Sequence, residues 1–526
     1  MRRIITILLC SLTIRTCDTT AQEKPTFPKG HVYFHTDFEN TNIVQQFKGA
    51  AKLSNGCNST RSLFIEVKPG SRSSMTSIPL PVEQMRGYTV RVSAMVRAEN
   101  VSEKPKSWNG IKVMVPVVTP SQKFWPQAET GTGTFDWKKV AFSGRVPDDA
   151  KSAVLCLGLE EVTGKVWFDD IQVAVSKTPI KPKPAVAGNS PIYKGHSLPR
   201  LRGTMISPSI NEEGLKTLGK DWNANLVRWQ LTRHGRPGEQ SSDSDYEQWL
   251  EKELKKLDDA LPLCEKYGIM VVVDLHSPPG GKNTQSGYVG SDDRLFSSKD
   301  CQVRFIEIWQ KMATRYKNSK AVWGYDLANE PVENFVEAGC DDWQALAEKT
   351  AKAIRSIDQQ KAIIIEPAAW GGPEGLKDLM PIDDPNVVYS VHMYIPHAFT
   401  HQGVHGQGKE FAYPGAINGK PWGKPDLEKA LQPVVDFQKK YRAHIYIGEF
   451  SAIRWAPDNS AYRYLKDLID IFEANDWDWT YHAFREWSGW SLEHGQDRKD
   501  TKPASTPTDR QKLLCDWFSK NVKPTF

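Results

Sequence analysis

The chain has 526 residues, 39% of them hydrophobic, which is long for a single compact domain and too apolar for a disordered chain. Its 68 Lys and Arg against 63 Asp and Glu leave a formal charge of +5, nearly balanced at this length, so no general case for nucleic-acid binding arises. The 8 cysteines are scattered with no C-x-x-C pair, which excludes a zinc ribbon and a thioredoxin-like motif.

Residues 1–21 read as an export signal. Arg2 and Arg3 precede the apolar run from Ile4 to Leu12, and Thr19-Thr20-Ala21 offers small residues for cleavage before Gln22. The run is too short to span a bilayer, and no other segment looks transmembrane. Cys17 follows Ile14-Arg15-Thr16, a poor setting for lipidation. A secreted protein, extracellular or periplasmic, is expected. Beyond the signal, Cys57, Cys156, Cys264, Cys301, Cys340 and Cys515 are expected to be core thiols.

Residues 31–176 are strand-like. Tyr88, Val90, Val92, Ala94 and Val96 alternate with Thr89, Arg91, Ser93 and Arg97, the pattern of a half-buried strand. Ser62–Val67, Ile111–Val118, Trp137–Phe142, Ala153–Leu157 and Val166–Val175 are further predicted strands, separated by turn residues. Many short strands with no convincing helix predict an all-β sandwich. Asp169-Asp170 at a strand end reads as a turn in preference to a calcium site. Residues 177–197, rich in Pro and Lys and without periodicity, read as a semi-rigid linker.

From 198 to 523 short apolar runs alternate with helical stretches. The predicted strands are Leu201–Ser207, Asn225–Leu231, Ile269–His276, Ala321–Glu330, Ala362–Pro367, Val387–Tyr394, Ile445–Phe450 and Thr480–Trp487. A helix is expected after each. In the stretch Tyr246–Tyr267, Leu250, Leu254, Leu257 and Leu261 share one helical face. Helical crossovers imply parallel strands, and this many units predict an α/β fold, a (β/α)8 TIM barrel, following the sandwich. A doubly wound sheet is the alternative. No Gly-rich nucleotide loop follows the first strand, and Gly280–Asn283 lacks P-loop spacing.

A barrel places function at the C-terminal ends of its strands. The polar residues there are Arg228, His276, Asn329, Glu330, His392, Tyr394, Glu449 and Trp487. Taken singly, each has a bland explanation: a strand-end glutamate is usually solvated or salt-bridged, and strand histidines are usually structural. Recurring at one end of successive strands, they point to acetal cleavage. That reaction needs one carboxylic acid to protonate the departing oxygen. It needs a second carboxylate to attack the anomeric carbon or activate water.

The motifs LVRW (Leu226–Trp229), DLH (Asp274–His276), ANEP (Ala328–Pro331), HMY (His392–Tyr394), GEF (Gly448–Phe450) and REW (Arg485–Trp487) follow one another in the order used by glycoside hydrolase family 5, the cellulase family, which residues 198–520 resemble. The resemblance implies a retaining double displacement with Glu330 as acid/base and Glu449 as nucleophile. It gives Asn329 the sugar 2-hydroxyl, has His276 and His392 orient substrate or carboxylates, and lays Trp487 under the sugar beside the cut. Arg228 and Tyr394 are suited to keep Glu449 ionised. No metal and no cofactor are implied. The expected partner is a β-linked polysaccharide or oligosaccharide, with no nucleic acid and no membrane span, and the chain is expected to act as a monomer. An endo-β-1,4-glucanase is the leading expectation. β-Mannanase, xyloglucanase and β-1,3-glucanase use the same apparatus, and a non-catalytic carbohydrate-binding protein is the alternative of another class. SNGCNSTRSLFIEV and VWFDDIQVAV in the front domain resemble jelly-roll carbohydrate-binding modules. There Trp108, Phe124, Trp125 and Trp137 are candidates to stack on sugars, several of them expected in the core, and a structural spacer is the alternative for the domain.

His397, His401 and His405 recur every fourth residue, as metal ligands on a helix would, but Pro396 and nearby glycines favour a lid loop over Ile395–Pro425. Trp229, Trp370, Trp422, Trp455 and Trp490 are additional stacking candidates, some of them expected in the barrel packing.

Overall fold

The structure, a computed structural model, describes residues 26–526 except 50, 58, 190, 234–241, 281–293, 334, 335, 338, 405 and 407. The expected export signal, His405 and residues 281–283 of the glycine turn lie outside those residues. The chain divides into two compact units, Met1–Thr178 and Pro179–Phe526.

The first unit holds two six-stranded antiparallel sheets among its described residues. Thr89–Val101 and Gly164–Lys177 pair at the middle of one sheet. Val90, Val92, Ala94 and Val96 point inward as their alternation predicts. Leu63, Val92 and Phe168 of that sheet meet Ile111, Val113 and Leu155 of the other in one core, which makes a sandwich. The strand expected over Ile111–Val118 is broken into Gly110–Met114 and Val117–Val118, because Pro116 between them has no N–H for the ladder. Both pieces pair with Ser152–Glu160. Asp169 is buried and committed to the fold: Oδ2 accepts from the Cys57 N–H at 2.7 Å and the Ser59 hydroxyl at 2.8 Å. None of the four aromatic candidates is buried; Trp108 and Trp125 are 56% and 58% exposed. Trp125 and Phe124 line a depression of about 720 Å³ beside Arg145, Asp148 and Asp149.

In the second unit eight strands close into a parallel barrel: β1 (Arg202–Ile206), β2 (Leu226–Gln230), β3 (Met270–Asp274), β4 (Val322–Asp326), β5 (Ala362–Ile365), β6 (Val387–Met393), β7 (His444–Phe450) and β8 (Asp478–Phe484). Outward residues pack under amphipathic helices. Asp243–Tyr267 starts where the Ser242 side chain accepts from the Asp245 N–H, and stops where Gly268 turns left-handed at φ 65°. Its Leu250, Leu254, Leu257 and Leu261 are buried, as their spacing predicts. Trp229, outward on β2, is 1% exposed and belongs to this packing, so it is no sugar platform.

Three expectations change. After β5 there is no α-helix but a 3-10 turn, Pro373–Lys377, where glycines and a proline follow the strand. The segment from Ile395 to Pro425 includes a one-turn helix, His397–Thr400, and a hairpin of Gly415–Ile417 with Lys420–Trp422. Pro396 stands just ahead of that turn, where its missing N–H is no loss. The proline-rich stretch is not a free linker over its length, for Lys183 Nζ donates to the Pro381 carbonyl, the Val186 N–H to Lys440, and the Tyr193 hydroxyl to Gln360. Of the cysteines after residue 22, Cys264 and Cys340 are buried, while Cys57, Cys156, Cys301 and Cys515 are partly exposed, so the expectation of core thiols holds for two. Among the described residues no helix is long and apolar enough to cross a membrane.

Candidate active site

Every second residue of a barrel strand points inward. Leu226, Val272, Ile364, Val388 and Tyr446 form an apolar cluster inside the barrel. Two residues beyond the first three stand Arg228, Asp274 and Glu366. Asp326 follows Gly324 in the same register on β4, and His482 follows Thr480 on β8. A charged layer therefore lies on an apolar one.

Arg228 organises that layer and is fully buried. Its Nε donates to Asp326 Oδ2 at 2.9 Å, Nη1 to Glu449 Oε1 at 2.6 Å, and Nη2 to Glu366 Oε1 at 3.0 Å and Asn329 Oδ1 at 3.2 Å. Asp274 Oδ1 lies 3.2 Å from Nη2. A planar fork with five donors suits such an enclosure, which a lysine would not satisfy. Burial opposes the guanidinium charge, but Asp274, Asp326, Glu449 and Glu366 outweigh it and hold the pKa well above its ordinary value. Asp326 is pushed well above the usual carboxylate range by burial, with Glu366 and Asp274 adding to it and Arg228 opposing.

Glu449, near the end of β7, has both oxygens engaged. Oε1 takes Arg228. Oε2 accepts from the Tyr394 hydroxyl at 2.8 Å and lies 3.2 Å from His482 Nδ1. Burial would raise this carboxyl, yet His392, His482 and Arg228 hold it well below the usual range.

Glu330 lies beyond β4 in a left-handed conformation, φ 44°, which costs a residue with a side chain about 1–3 kcal/mol. Its N–H donates to Glu366 Oε2 at 2.8 Å, and its Oε1 meets His392 Nδ1 at 3.0 Å. His392 spans the two acids: Nδ1 is also 3.8 Å from Glu449 Oε2, and Nε2 is 3.1 Å from Glu366 Oε1. Burial disfavours its charge, but Glu366, Glu449 and Glu330 raise its pKa well above the ordinary value. Two glycines let backbone approach this ring. A Cβ at Gly371, φ 63°, would stand 2.5 Å from Glu366 Oε2, and one at Gly448 would stand 2.9 Å from His392 Nε2.

Arg228, Asn329, Glu330, His392, Tyr394 and Glu449 thus share one network. His276 joins it at one remove, with Nδ1 2.8 Å from Asp274 Oδ2. Trp487 stands past the end of β8, 40% exposed, packed edge-on against Trp455 and Trp490. Four members escape the sequence reading: Asp326, Glu366, His482 and Glu486. Strand parity marks the first three, each two residues past an inward-facing neighbour. Glu486 carries no such signal.

Above the layer, a cleft of about 610 Å³ runs past Glu330, Trp370, His392, Tyr394, His397 and His401. The His397 and His401 rings stack at 3.9 Å, and His401 packs edge-on against Tyr394 and Trp490. Among the described residues two groups have metal-ligand types within 4.8 Å of one another, Glu330–His392–Glu449 and His196–His444–Asp478. Hydrogen-bond donors and acceptors account for close contacts within both. The first group also shows that an oxygen of Glu330 lies within 4.8 Å of an oxygen of Glu449.

The sequence profile of Cellulase (glycosyl hydrolase family 5) matches residues 187–490. Endoglucanase C of Acetivibrio thermocellus is 30% identical over 260 residues, 45% of this chain and 74% of that protein. Cellodextrinase A of Ruminococcus flavefaciens is 23% identical, over 51% of this chain and 76% of its own length. Among solved structures, Thermotoga maritima Cel5A in complex with cellobiose (mutant form) aligns with 60% of this chain and 97% of its own, at 23% identity and a TM-score of 0.45.

Proposed function

The chain belongs to the cellulase family, glycosyl hydrolase family 5, and from that premise we propose an exported endo-β-1,4-glucanase that works by retaining double displacement. Glycoside hydrolysis follows from the family. The endoglucanase among its relatives supports the bond, and the arginine-led apolar run at residues 1–21 supports export. The observation that carries the mechanism is the separation of the two acids. One oxygen of each acid within 4.8 Å of the other supports the roughly 5–5.5 Å carboxyl separation of direct attack over the roughly 6.5–9.5 Å that leaves room for a water.

In the first half-reaction a Glu449 oxygen bonds to the anomeric carbon while the bond to the departing sugar breaks, and Glu330 gives its proton to the leaving oxygen. An ester at Glu449 and a carboxylate at Glu330 result. In the second, Glu330 takes a proton from water, the water oxygen bonds to the anomeric carbon, and Glu449 departs as carboxylate. The depressed pKa of Glu449 suits a nucleophile, since attack requires the ionised form. The left-handed backbone at Glu330, with its N–H fixed on Glu366, aims its side chain at His392 and the neighbouring acid. Asn329 turns Oδ1 to Arg228, which leaves its NH2 to donate to a sugar 2-hydroxyl. Trp370 and Trp487, each 40% exposed, offer flat faces for sugar rings along the cleft.

The test is the anomeric configuration of the first product. Proton NMR during early hydrolysis of a soluble β-1,4-glucan is expected to show the β-anomer before mutarotation. An α-anomer first would remove Glu449 as nucleophile. Rates on a panel of glucan, mannan, xyloglucan and β-1,3-glucan are expected to be highest on β-1,4-glucan, and a faster rate on another would reassign the substrate.

A further inference from the structure

Arg228 supports one oxygen of Glu449, and the other takes Tyr394 and lies close to His482, a residue that no motif marks. β8 ends its inward series at His482, largely buried with 15% of its side chain exposed. Nδ1 lies 2.5 Å from the Tyr394 hydroxyl and 3.2 Å from Glu449 Oε2. Nε2 faces Glu486 Oε2 at 3.4 Å, and that same Glu486 oxygen accepts from Gln230 Nε2 at 2.9 Å. Gln230 belongs to β2, and its amide also donates to the Ile206 carbonyl and accepts from Thr232, so Glu486 is tied to the barrel. The His482 ring packs against Trp490 at 5.9 Å.

We propose that His482, braced by Glu486, is a positioning residue that brings positive charge to the Glu449 carboxylate from the β8 side. The inference rests on the nucleophile role proposed above for Glu449. Counting protons leads to it. The Tyr394 hydroxyl has one proton, which it donates to Glu449 Oε2. Nδ1 at 2.5 Å must then donate to the tyrosine oxygen, since that oxygen has no second proton to give. Nε2 stands 3.4 Å from the Glu486 carboxylate, an ion-pair distance that favours a proton there as well. Only the imidazolium has both. The His482 ring then directs one N–H at Glu486 and the other at the Tyr394 oxygen, and Tyr394 donates on to Glu449, so no two acceptors meet. Burial works against that cation, but Glu449 and Glu486 push its pKa up to about 10.

The bracing acid has a use during turnover. When Glu449 becomes an uncharged ester, a buried imidazolium paired with it alone would be stranded, at the cost of an unpaired buried charge. Glu486 remains as its counter-ion through the intermediate. The cation is then in place to receive the carboxylate as Glu449 departs. Other charged groups face the same acid: Arg228 from β2, Glu330 from beyond β4 and His392 from β6, with Tyr394 between. His482 faces Glu449, Tyr394 and Glu486, and His276 also lies near Glu486.

Two measurements test this. In His482→Asn the acid limb of kcat/KM against pH is expected to move up by roughly one pH unit, because Glu449 loses a neighbouring cation. KM should change little, with the loss in kcat. An unmoved acid limb in a folded variant would overturn the proposal. Independently, the ring nitrogens of His482 in the wild-type chain, assigned by their absence in His482→Asn spectra, are expected to show imidazolium shifts through pH 8. In Glu486→Gln the proton should be lost at lower pH. A neutral ring at pH 6–7 would overturn the proposal whether or not the variants fold. The spectral readout stands apart from activity: an α-anomer first would sink the nucleophile role, while the titration would still report on the pair.

Discussion

At the N-terminal end of the barrel, His196 and His444 both direct Nε2 at one oxygen of Asp478, at 2.8 and 2.6 Å, and its other oxygen accepts the Leu201 N–H at 2.8 Å. At the C-terminal end, Arg228 is enclosed by Asp274, Asp326, Glu366 and Glu449, with His392 and His482 beside it. The residue types are the same, histidine and carboxylate on strand ends of one barrel. The lower cluster has a single acid with every oxygen matched, and its side chains are closed to solvent. The upper cluster holds more acids than cations and opens on a cleft. The lower one is closed to any substrate, while the upper one presents its acids to the cleft. That difference, and not the mere presence of His and Glu, separates a clamp from a site of catalysis.

The sharpest way to break the comparison is to remove a movable proton. Glu330→Gln is expected to cut hydrolysis of a β-glucan roughly 10²–10⁴-fold, since its alkoxide leaving group needs an acid. On an aryl glycoside with a good leaving group, the pre-steady-state burst should survive. Equal loss of the burst on both substrates would take the acid role from Glu330.

Arg228→Met tests the charge balance. It leaves the surrounding acids buried without their cation, so stability should fall by about 3–5 kcal/mol, with loss of activity. Urea unfolding measures the first. A drop below about 1 kcal/mol would mean that His392 and His482 carry the balance instead.

Much of this was legible from the chain alone, for reasons that also mark where reading stops. The barrel shows in the sequence because apolar runs and helical periodicities alternate without interruption by glycine-rich nucleotide loops. The motif residues that end strands, Arg228, Asn329, Glu330, His392, Tyr394 and Glu449, show because polar groups after apolar runs stand out. Asp326 and Glu366 do not stand out: they sit inside or just after hydrophobic strands, YDL and IIE, where an acid reads as a strand's last solvated residue. Burial against Arg228 is a tertiary fact. His482 hides for another reason. The tryptophan of the REW motif draws attention five residues downstream, while strand parity places the histidine inside. The front domain shows the reverse error, for aromatics expected in part to be core are all at least partly exposed.

A smaller effect is expected at the lower end. Asp478→Asn keeps the shape but turns one acceptor of two histidines into a weaker partner, so stability should fall by about 1–3 kcal/mol. Because no step of turnover uses that end, kcat at a temperature well below Tm should hold. Loss of kcat beyond the folded fraction would erase the contrast between the ends.

The smallest effect, and the one that separates the ends by pH, is in stability. His482 has a pKa raised from 6.5 to about 10 on folding. Such a group contributes stability that is fully present below pH 6.5 and is lost as pH rises through about 10. Glu449 has the opposite sign: its depressed pKa contributes above its unfolded value of about 4.5, and the contribution is lost as pH falls through the folded value. Asp478 is likewise depressed, burial being outweighed by His444 and His196, so its share fails only in acid. Alkaline titration should therefore loosen the upper end and leave the lower one alone. Tm measured from pH 7 to 10 is expected to decline less steeply in His482→Asn than in the wild type, since the variant has no such proton to lose. Asp478→Asn should start lower but run parallel to the wild type over the same range. If Asp478→Asn flattens the alkaline slope and His482→Asn does not, the proton that matters lies at the lower end.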